Sequence, residues 1–511
     1  MFVNTFQRAD QLFWLALIFL SGNFFVMEKF NEILDQIDGF VWGIPTIVLI
    51  LVTGLILTIR LKGLQFRKLG LAFKSMFKKN ENAKSGEVTS FGALCTALSA
   101  TIGTGNIVGV ATAIVGGGPG ALLWMWIAAI LGIATKYTEC MLAVKYREVK
   151  PDGTILGGPF YTIEKGLKER TGFTWKWLAI LFAVFGMLAG LLGIGTITQI
   201  NGITSAVNDA IKSPVMFNLF GQDITIATFV SGLLVTFFAA LVIIGGLKRI
   251  SKVAEKIVPA MAIIYVFMGI AIIIMNATKV PAAFAVIFKS AFGVKAASFG
   301  AMGYVTKSII DSMQKGIARG IFSNEAGLGS APIAAASAKV DEPCEQGLVS
   351  MLGTFIDTII ICTMTGLAIV IAFYIPGLPE DPSIQGVVGA PLTSAAFTKV
   401  LGGDTVSVKY LLMICLIFFA FTTILGWDYY SERCVEYLTK GNKVVVMIFR
   451  VLYIVAVFIG PYLTISAVWT IADITNGLMA IPNCISLILL SGVAAKETNK
   501  YFEKLRNPLA K

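Results

Sequence analysis

The chain has 511 residues, of which 56% are hydrophobic and only 14% charged, and its formal net charge is +11. A soluble protein of ordinary composition carries about 25% charged residues, so the polar surface needed to dissolve a fold this size is missing and a polytopic membrane protein is the class that remains. The absence of histidine excludes a histidine metal site, general base or proton relay.

Residues 1–26 contain a short apolar run, Leu12–Leu20, with a poor cleavage site behind it. Met27 then opens a segment that reads as a natural beginning, so 1–26 is expected to be an N-terminal extension. Crossing a hydrocarbon core about 30 Å thick takes about 20 mostly apolar residues. On that measure eleven spans are predicted, near 40–60, 91–115, 119–145, 175–205, 223–246, 253–276, 302–337, 345–374, 408–430, 442–460 and 463–492. The longer ones imply tilt, breaks or extension beyond the bilayer. The seven cysteines include no Cys-x-x-Cys pair, and most fall in or beside these apolar segments as small hydrophobes.

Lysine and arginine orient the spans. They crowd the segment from Arg60 to Lys84, recur at Lys145–Arg170 and Lys248–Lys256, and return at Arg433–Lys443 and in the tail from Lys496. The loops 116–120, 208–223 and 376–407 between them are sparsely basic, whereas 277–300, with Lys279, Lys289 and Lys295, fits least well. The pattern predicts a multi-pass protein of the cell membrane with a cytoplasmic C-terminus, and an N-terminus outside if the chain starts at Met27. The +11 is thus a topology signal in a lipid bilayer rather than a mark of nucleic-acid binding.

Two polar, glycine-rich interruptions lie inside membrane-length runs: Ala100–Gly109 and Arg319–Ser330. Irregular backbone survives in hydrocarbon only where protein encloses it, and a matched pair of broken spans points to a transporter's binding site. In the first break Gly103, Thr104, Gly105 and Asn106 supply flexible backbone, a hydroxyl and an amide. An unwound N-terminus there suits a carboxylate, while close helix packing is the plainer reading of the glycines. Leading into the second break, Lys307, Asp311, Lys315 and Arg319 recur every four residues along one stripe. Buried charges such as these usually serve function in a membrane, and the structural alternative is that Arg319 with Glu325, or Lys315 with Asp311, neutralise each other or reach an interface. Phe322, Ser323 and Asn324 are the preferred pocket residues.

Gln199 is a further candidate hydrogen-bonding side chain, and Thr423 and Trp427 share a helix face four residues apart. Thr422 and Thr423 offer hydroxyls to a hard cation or back-bond their own helix. Asp357 and Asp473 are isolated intramembrane carboxylates, each either an ion or proton ligand or a helix-to-helix hydrogen bonder.

The runs Gly103-Thr-Gly-Asn-Ile-Val-Gly-Val-Ala-Thr-Ala-Ile, Gly117-Gly-Pro-Gly-Ala-Leu-Leu-Trp-Met-Trp, Ala134-Thr-Lys-Tyr-Thr-Glu, Asp152-Gly-Thr-Ile-Leu-Gly-Gly-Pro-Phe-Tyr, Ser323-Asn-Glu-Ala-Gly-Leu-Gly-Ser-Ala-Pro and Leu478-Met-Ala-Ile-Pro-Asn resemble the alanine/glycine:cation symporters. The resemblance spreads from about residue 40 to 495. It implies an all-α membrane protein with a leucine-transporter-type core of ten helices in two inverted repeats, preceded by one extra helix. The expected organisation is 1–26 extension, 27–90 peripheral helix and basic segment, 91–300 first repeat, 301–495 second repeat and 496–511 basic cytoplasmic tail.

It also implies sodium-coupled uptake of alanine or glycine, with sodium as the coupling ion and no other cofactor, by a monomer. Proton coupling or a different amino acid is the alternative. Carried over, the substrate carboxylate meets Thr104 and Gly105 beside Asn106. Gln199, Phe322, Ser323 and Asn324 enclose the rest, and Thr423 and Trp427 close the pocket. Sodium is expected between the carbonyls of Ser99 and Ile102 and the hydroxyls of Thr422 and Thr423. An enzyme lacks its nucleophile or metal cluster here, and two dissimilar breaks in one chain suit an enclosed site better than a channel's filter.

Overall fold

The computed structural model describes residues 29, 32–34, 36–78, 85–151, 153–219, 222–293, 302–375, 387, 389–402, 405–463 and 465–507. The expected extension at 1–26 lies outside the described residues. Helix α1 (Ile44–Arg60) starts on Pro45, whose missing N–H costs nothing in a first turn. The first broken span follows as α2 (Ser90–Thr101), capped by the Thr89 hydroxyl, and α3 (Val108–Gly117). Helix α4 is Ala121–Lys145, and the next span divides into α5 (Lys176–Leu192) and α6 (Ile197–Ile211). Then come α7 (Ile226–Ile243), α8 (Gly246–Met275) and the short α9 (Val280–Ala291).

The second broken span is α10 (Met302–Asn324) with α11 (Ala331–Ala335). Helices α12 (Pro343–Thr354) and α13 (Thr363–Phe373) are joined through π-helical turns at Phe355–Cys362. The series ends with α14 (Ala390–Leu401), α15 (Thr405–Leu438), α16 (Lys443–Ile459) and α17 (Ile465–Arg506). Two small antiparallel hairpins, β1 (Glu148–Val149) with β2 (Ile155–Leu156) and β3 (Val215–Leu219) with β4 (Gln222–Thr225), lie in the loops.

Among the described residues nine helical stretches are long and apolar enough to cross a membrane. The two predicted spans absent from those nine are the interrupted ones, 91–115 and 302–337. The first is cut into two short helices, and the second is too rich in charge before its break. Three features depart from the predicted spans. The 175–205 span breaks at Gly193–Thr196, the sparsely basic loop 376–407 contains α14, and the helix of the last span runs on to Arg506 through what reads as a loose tail.

Helix α4 packs against α1, α10 and α12, α5 packs against α15 and α17, and α2 lies between α8 and α15. Exposed large apolar side chains lie along α7 (Phe237, Phe238, Leu241), α8 (Ile263, Phe267, Ile274) and α16 (Ile448, Val451, Leu452). An apolar surface this extensive suits lipid and not water. The two broken spans sit inside that shell.

Candidate functional site

The first break begins where Ile102 leaves α2 with extended backbone and Gly103 adopts φ −141°, ψ −145°. Residues Thr104–Asn106 form a single tight turn before α3. The Gly103 N–H donates to Asn106 Oδ1 (2.9 Å), and the Thr104 N–H donates to Gln199 Oε1 (3.1 Å). Gln199 Nε2 donates in turn to the Ile194 carbonyl at 2.9 Å, inside the α5–α6 break. Backbone groups freed by unwinding are therefore taken up by amide side chains, as their burial demands. The Thr393 hydroxyl of α14 adds a bond to the Ile107 carbonyl at 3.0 Å.

The second break runs from Glu325 to Ser330. Glu325, Gly327 and Gly329 take left-handed φ values of 56°, 90° and 81°, conformations easy for glycine and strained for glutamate. Lys136 of α4 donates to the Glu325 carbonyl (3.0 Å) and lies 3.3 Å from Glu139. Asn483 of α17 donates to Glu139 Oε2 (3.0 Å) and to the Gly327 carbonyl (2.9 Å). All three side chains are buried. Arg319 and Glu325, for which mutual neutralisation is one of two readings of the sequence, do not pair. Glu325 instead accepts the Trp427 Nε1–H at 2.7 Å and the Ser330 hydroxyl at 2.5 Å.

The two breaks touch. A Cβ on Gly105 would stand 3.0 Å from Ser323 Cα, so they meet only because residue 105 has no side chain. Asp357, on the π-helical turns, joins them. It accepts from Asn106 Nδ2 at 2.6 Å, from the Ser323 hydroxyl at 2.9 Å and from the Thr358 hydroxyl at 2.7 Å. Asn324 Nδ2 reaches Thr358 at 3.0 Å.

The predicted pocket residues Thr104, Asn106, Gln199, Phe322, Ser323, Asn324, Thr423 and Trp427 are each at most 2% exposed, and Gly105 is buried with them. Of the predicted cation ligands, Thr423 and Ile102 come together, with hydroxyl and carbonyl 3.3 Å apart. The Thr422 and Thr423 hydroxyls both turn back to the Phe419 carbonyl at 3.0 Å, Thr422 also facing Met261, and Ser99, expected to ligate through its carbonyl, is buried on α2. The Thr104 hydroxyl is buried with no hydrogen-bond partner among the described residues. Buried polar groups in that condition are few in native proteins.

Two sets of contacts flank the breaks. At one, Arg319 pairs with Asp473 at 2.8 Å, and its guanidinium lies 5.6 Å from the Phe322 ring centre and 5.4 Å from that of Trp469. Trp42, just before α1, donates to the Asp473 carbonyl (2.8 Å) and accepts from Gln314 (3.0 Å). At the other the chain entering α2 meets the chain leaving α11, with Val88 bridged to Ala338 and the Lys339 N–H bonded to Val88 O at 2.8 Å. Arg147 fixes that seam through the carbonyls of Ala336 (2.8 Å) and Ala338 (2.7 Å) and the Ser85 hydroxyl (2.7 Å). Burial pulls the Arg147 guanidinium below its usual range, yet arginine starts so high that it stays a cation.

Sequence reasoning passed over the Lys136–Glu139–Asn483 cluster. Opposite charges at i, i+3 within an apolar span are the signal that would have found it. Thr393 gave no such signal, because its role depends on a loop folding back onto the first break.

Residues 27–510 match the sodium:alanine symporter family. The chain is 46% identical to the sodium/alanine symporter AgcS of Methanococcus maripaludis over 487 residues, covering 94% of this chain and 99% of that one. It is 49% identical to an uncharacterised transporter of Haemophilus influenzae over 481 residues (93% and 97%). It is 35% identical to the probable sodium/glutamine symporter GlnT of Bacillus subtilis over 477 residues (92% and 91%). Among solved structures, MhsT in complex with L-phenylalanine superimposes with a TM-score of 0.50 at 13% identity, covering 81% of this chain and 99% of that one. The fold is therefore of the leucine-transporter type.

Proposed function

The chain belongs to the sodium:alanine symporter family, and on that premise we propose that it carries alanine or glycine into the cell with sodium by alternating access. Membership makes it an integral membrane transporter that couples amino acid movement to a cation. The observation behind the finer reading is the meeting of the two breaks at Gly105 and Ser323, with the buried Thr104 hydroxyl of the first break left unpartnered among the described residues. A substrate carboxylate satisfies that hydroxyl and takes the positive end of α3. Asn106, Gln199, Ser323 and Asn324 shape the walls, and Phe322 and Trp427 leave side-chain room for about one methyl group.

Sodium sits between the carbonyls of Ser99 and Ile102 and the hydroxyl of Thr423, where orphan carbonyls at the end of α2 meet α15. Thr422 joins that set after a change of rotamer. In this reading 91–300 and 301–495 are inverted repeats of a monomer whose Arg319 mouth faces outward and whose C-terminus is cytoplasmic. Residues 1–26 are an extension to it.

Reconstituted in liposomes, the protein is expected to accumulate labelled alanine when an inward sodium gradient is imposed and not when sodium is equal on both sides. Uptake indifferent to sodium would reject the coupling, and absence of alanine uptake would reject the substrate. Proton coupling is the second reading, favoured by the Asp357 carboxylate set between the breaks; uptake driven by a pH gradient in sodium-free buffer would establish it.

A further inference from the structure

We infer that Glu325 is a positioning residue that sets how large an amino acid the site admits, by holding the Trp427 indole in place. The inference rests on the reading of Trp427 as a pocket wall. Trp427 is fully buried, its ring lies edge-on to Tyr430 with centroids 5.6 Å apart, and its single donor meets Glu325 Oε1 at 2.7 Å. An indole has one N–H, at one edge, and its ring hangs from the main chain on two torsions, so holding that atom sets both torsions and the orientation of the ring. Packing limits where the ring can go, and the carboxylate decides which orientation it keeps.

Three observations single out the glutamate. Its backbone has φ 56° in a run where positions 327 and 329 are glycine. A strained non-glycine residue persists only where its surroundings over-determine it, and the side chain is what glycine would lack. Its second oxygen is taken by Ser330 at 2.5 Å, across the break, so the carboxylate has little freedom to turn. Its carbonyl is held by Lys136 at 3.0 Å, which anchors the residue's main chain to α4. Glu325 therefore ties the second break to α15, the helix that carries Thr423 and Trp427. It does so without contributing any group to the substrate.

The test is a selectivity cycle. Uptake of labelled alanine by the full-length protein in liposomes is competed with glycine, alanine, methionine and phenylalanine, and the alanine-to-methionine preference is read for each variant. Glu325→Ala is expected to lower that preference roughly tenfold, the scale of discrimination a pocket wall supplies. Glu325→Gln, whose amide oxygen still accepts from the indole, is expected to keep it. In the Trp427→Phe background, which has no donor to hold, Glu325→Ala is expected to leave the preference where Trp427→Phe alone puts it.

A merely structural glutamate would shift the preference in both backgrounds or in neither, and either result overturns the inference. Should Glu325→Ala fail to fold, Glu325→Asp takes its place, since a shorter arm cannot reach the indole; an unchanged preference then overturns the proposal. If the wild type carries a larger amino acid and not alanine, the alanine reading falls. The same cycle, run on that substrate and the next larger one, still decides the role of Glu325.

Discussion

Asp357 Oδ1 and Asn106 Nδ2 lie 2.6 Å apart, and through this bond a helix wound in π-turns grips the first break while its other oxygen holds Ser323 of the second. Replacing Asp357 by alanine strands the Thr358 hydroxyl in a buried site and leaves Asn106 and Ser323 only long contacts to the residue-357 carbonyl and Cys362 Sγ. A stranded donor costs about 1–3 kcal/mol. Asp357→Ala is therefore expected to melt at a clearly lower temperature in detergent and to lose uptake. Wild-type melting with intact transport would show that the breaks do not depend on this carboxylate.

Glycines inside the broken spans are not equivalent. Gly105→Ala places a methyl 3.0 Å from Ser323 Cα, a backbone atom that cannot step aside, whereas a Cβ on Gly109 meets nothing within 4 Å beyond its own helix. Overpacking of that kind costs about 1–3 kcal/mol. Gly105→Ala should abolish alanine uptake, and Gly109→Ala should leave uptake intact and raise stability by about 0.5–1 kcal/mol. Thermal melts and uptake on the two variants check both statements.

In the proposed alternating-access cycle the Arg319–Asp473 pair closes one mouth, and neither side chain is much exposed, 16% and 13%. Separate alanine substitutions are expected to weaken closure alike, and the double substitution should add little beyond either. The coupling read from a melting cycle should be about 1 kcal/mol. Additive effects would mean that the two residues act apart.

Arg147 gathers four acceptors at the seam between α2 and α11. Arg147→Ala is expected to speed amide hydrogen exchange at residues 85–100 and 331–340, with the α7–α8 region unchanged. Exchange that rises equally everywhere would point to general destabilisation in place of an opened seam.

Most of the helical frame was legible from runs of apolar residues, because lipid demands length and hydrophobicity together. The two breaks were legible for the opposite reason, since Gly103–Asn106 and Ser323–Ser330 violate that demand. What could not be read was partnership across long distances in sequence. Arg319 has Glu325 six residues away yet pairs with Asp473, because the turn at Glu325 carries its carboxylate away toward α15. The α5–α6 break escaped notice because Gly193 and Gly195 sit among apolar neighbours with few polar groups to betray unwinding. The rotation of Thr422 away from Thr423 is a matter of helical phase, and adjacent residues necessarily face about 100° apart on a helix of 3.6 residues per turn.

The two closures respond differently to the medium. The seam at Val88 and Ala338 is main chain bonded to main chain, which added salt barely alters. The Arg319–Asp473 closure joins two ions that must shed their own counter-ions each time the mouth shuts, so ionic strength favours its open form. In the proposed orientation this is the side bathed in the driving cation. Sodium would then act there in two capacities, as cargo in the chamber and as electrolyte at the door, and an equimolar potassium control tells the second from the first.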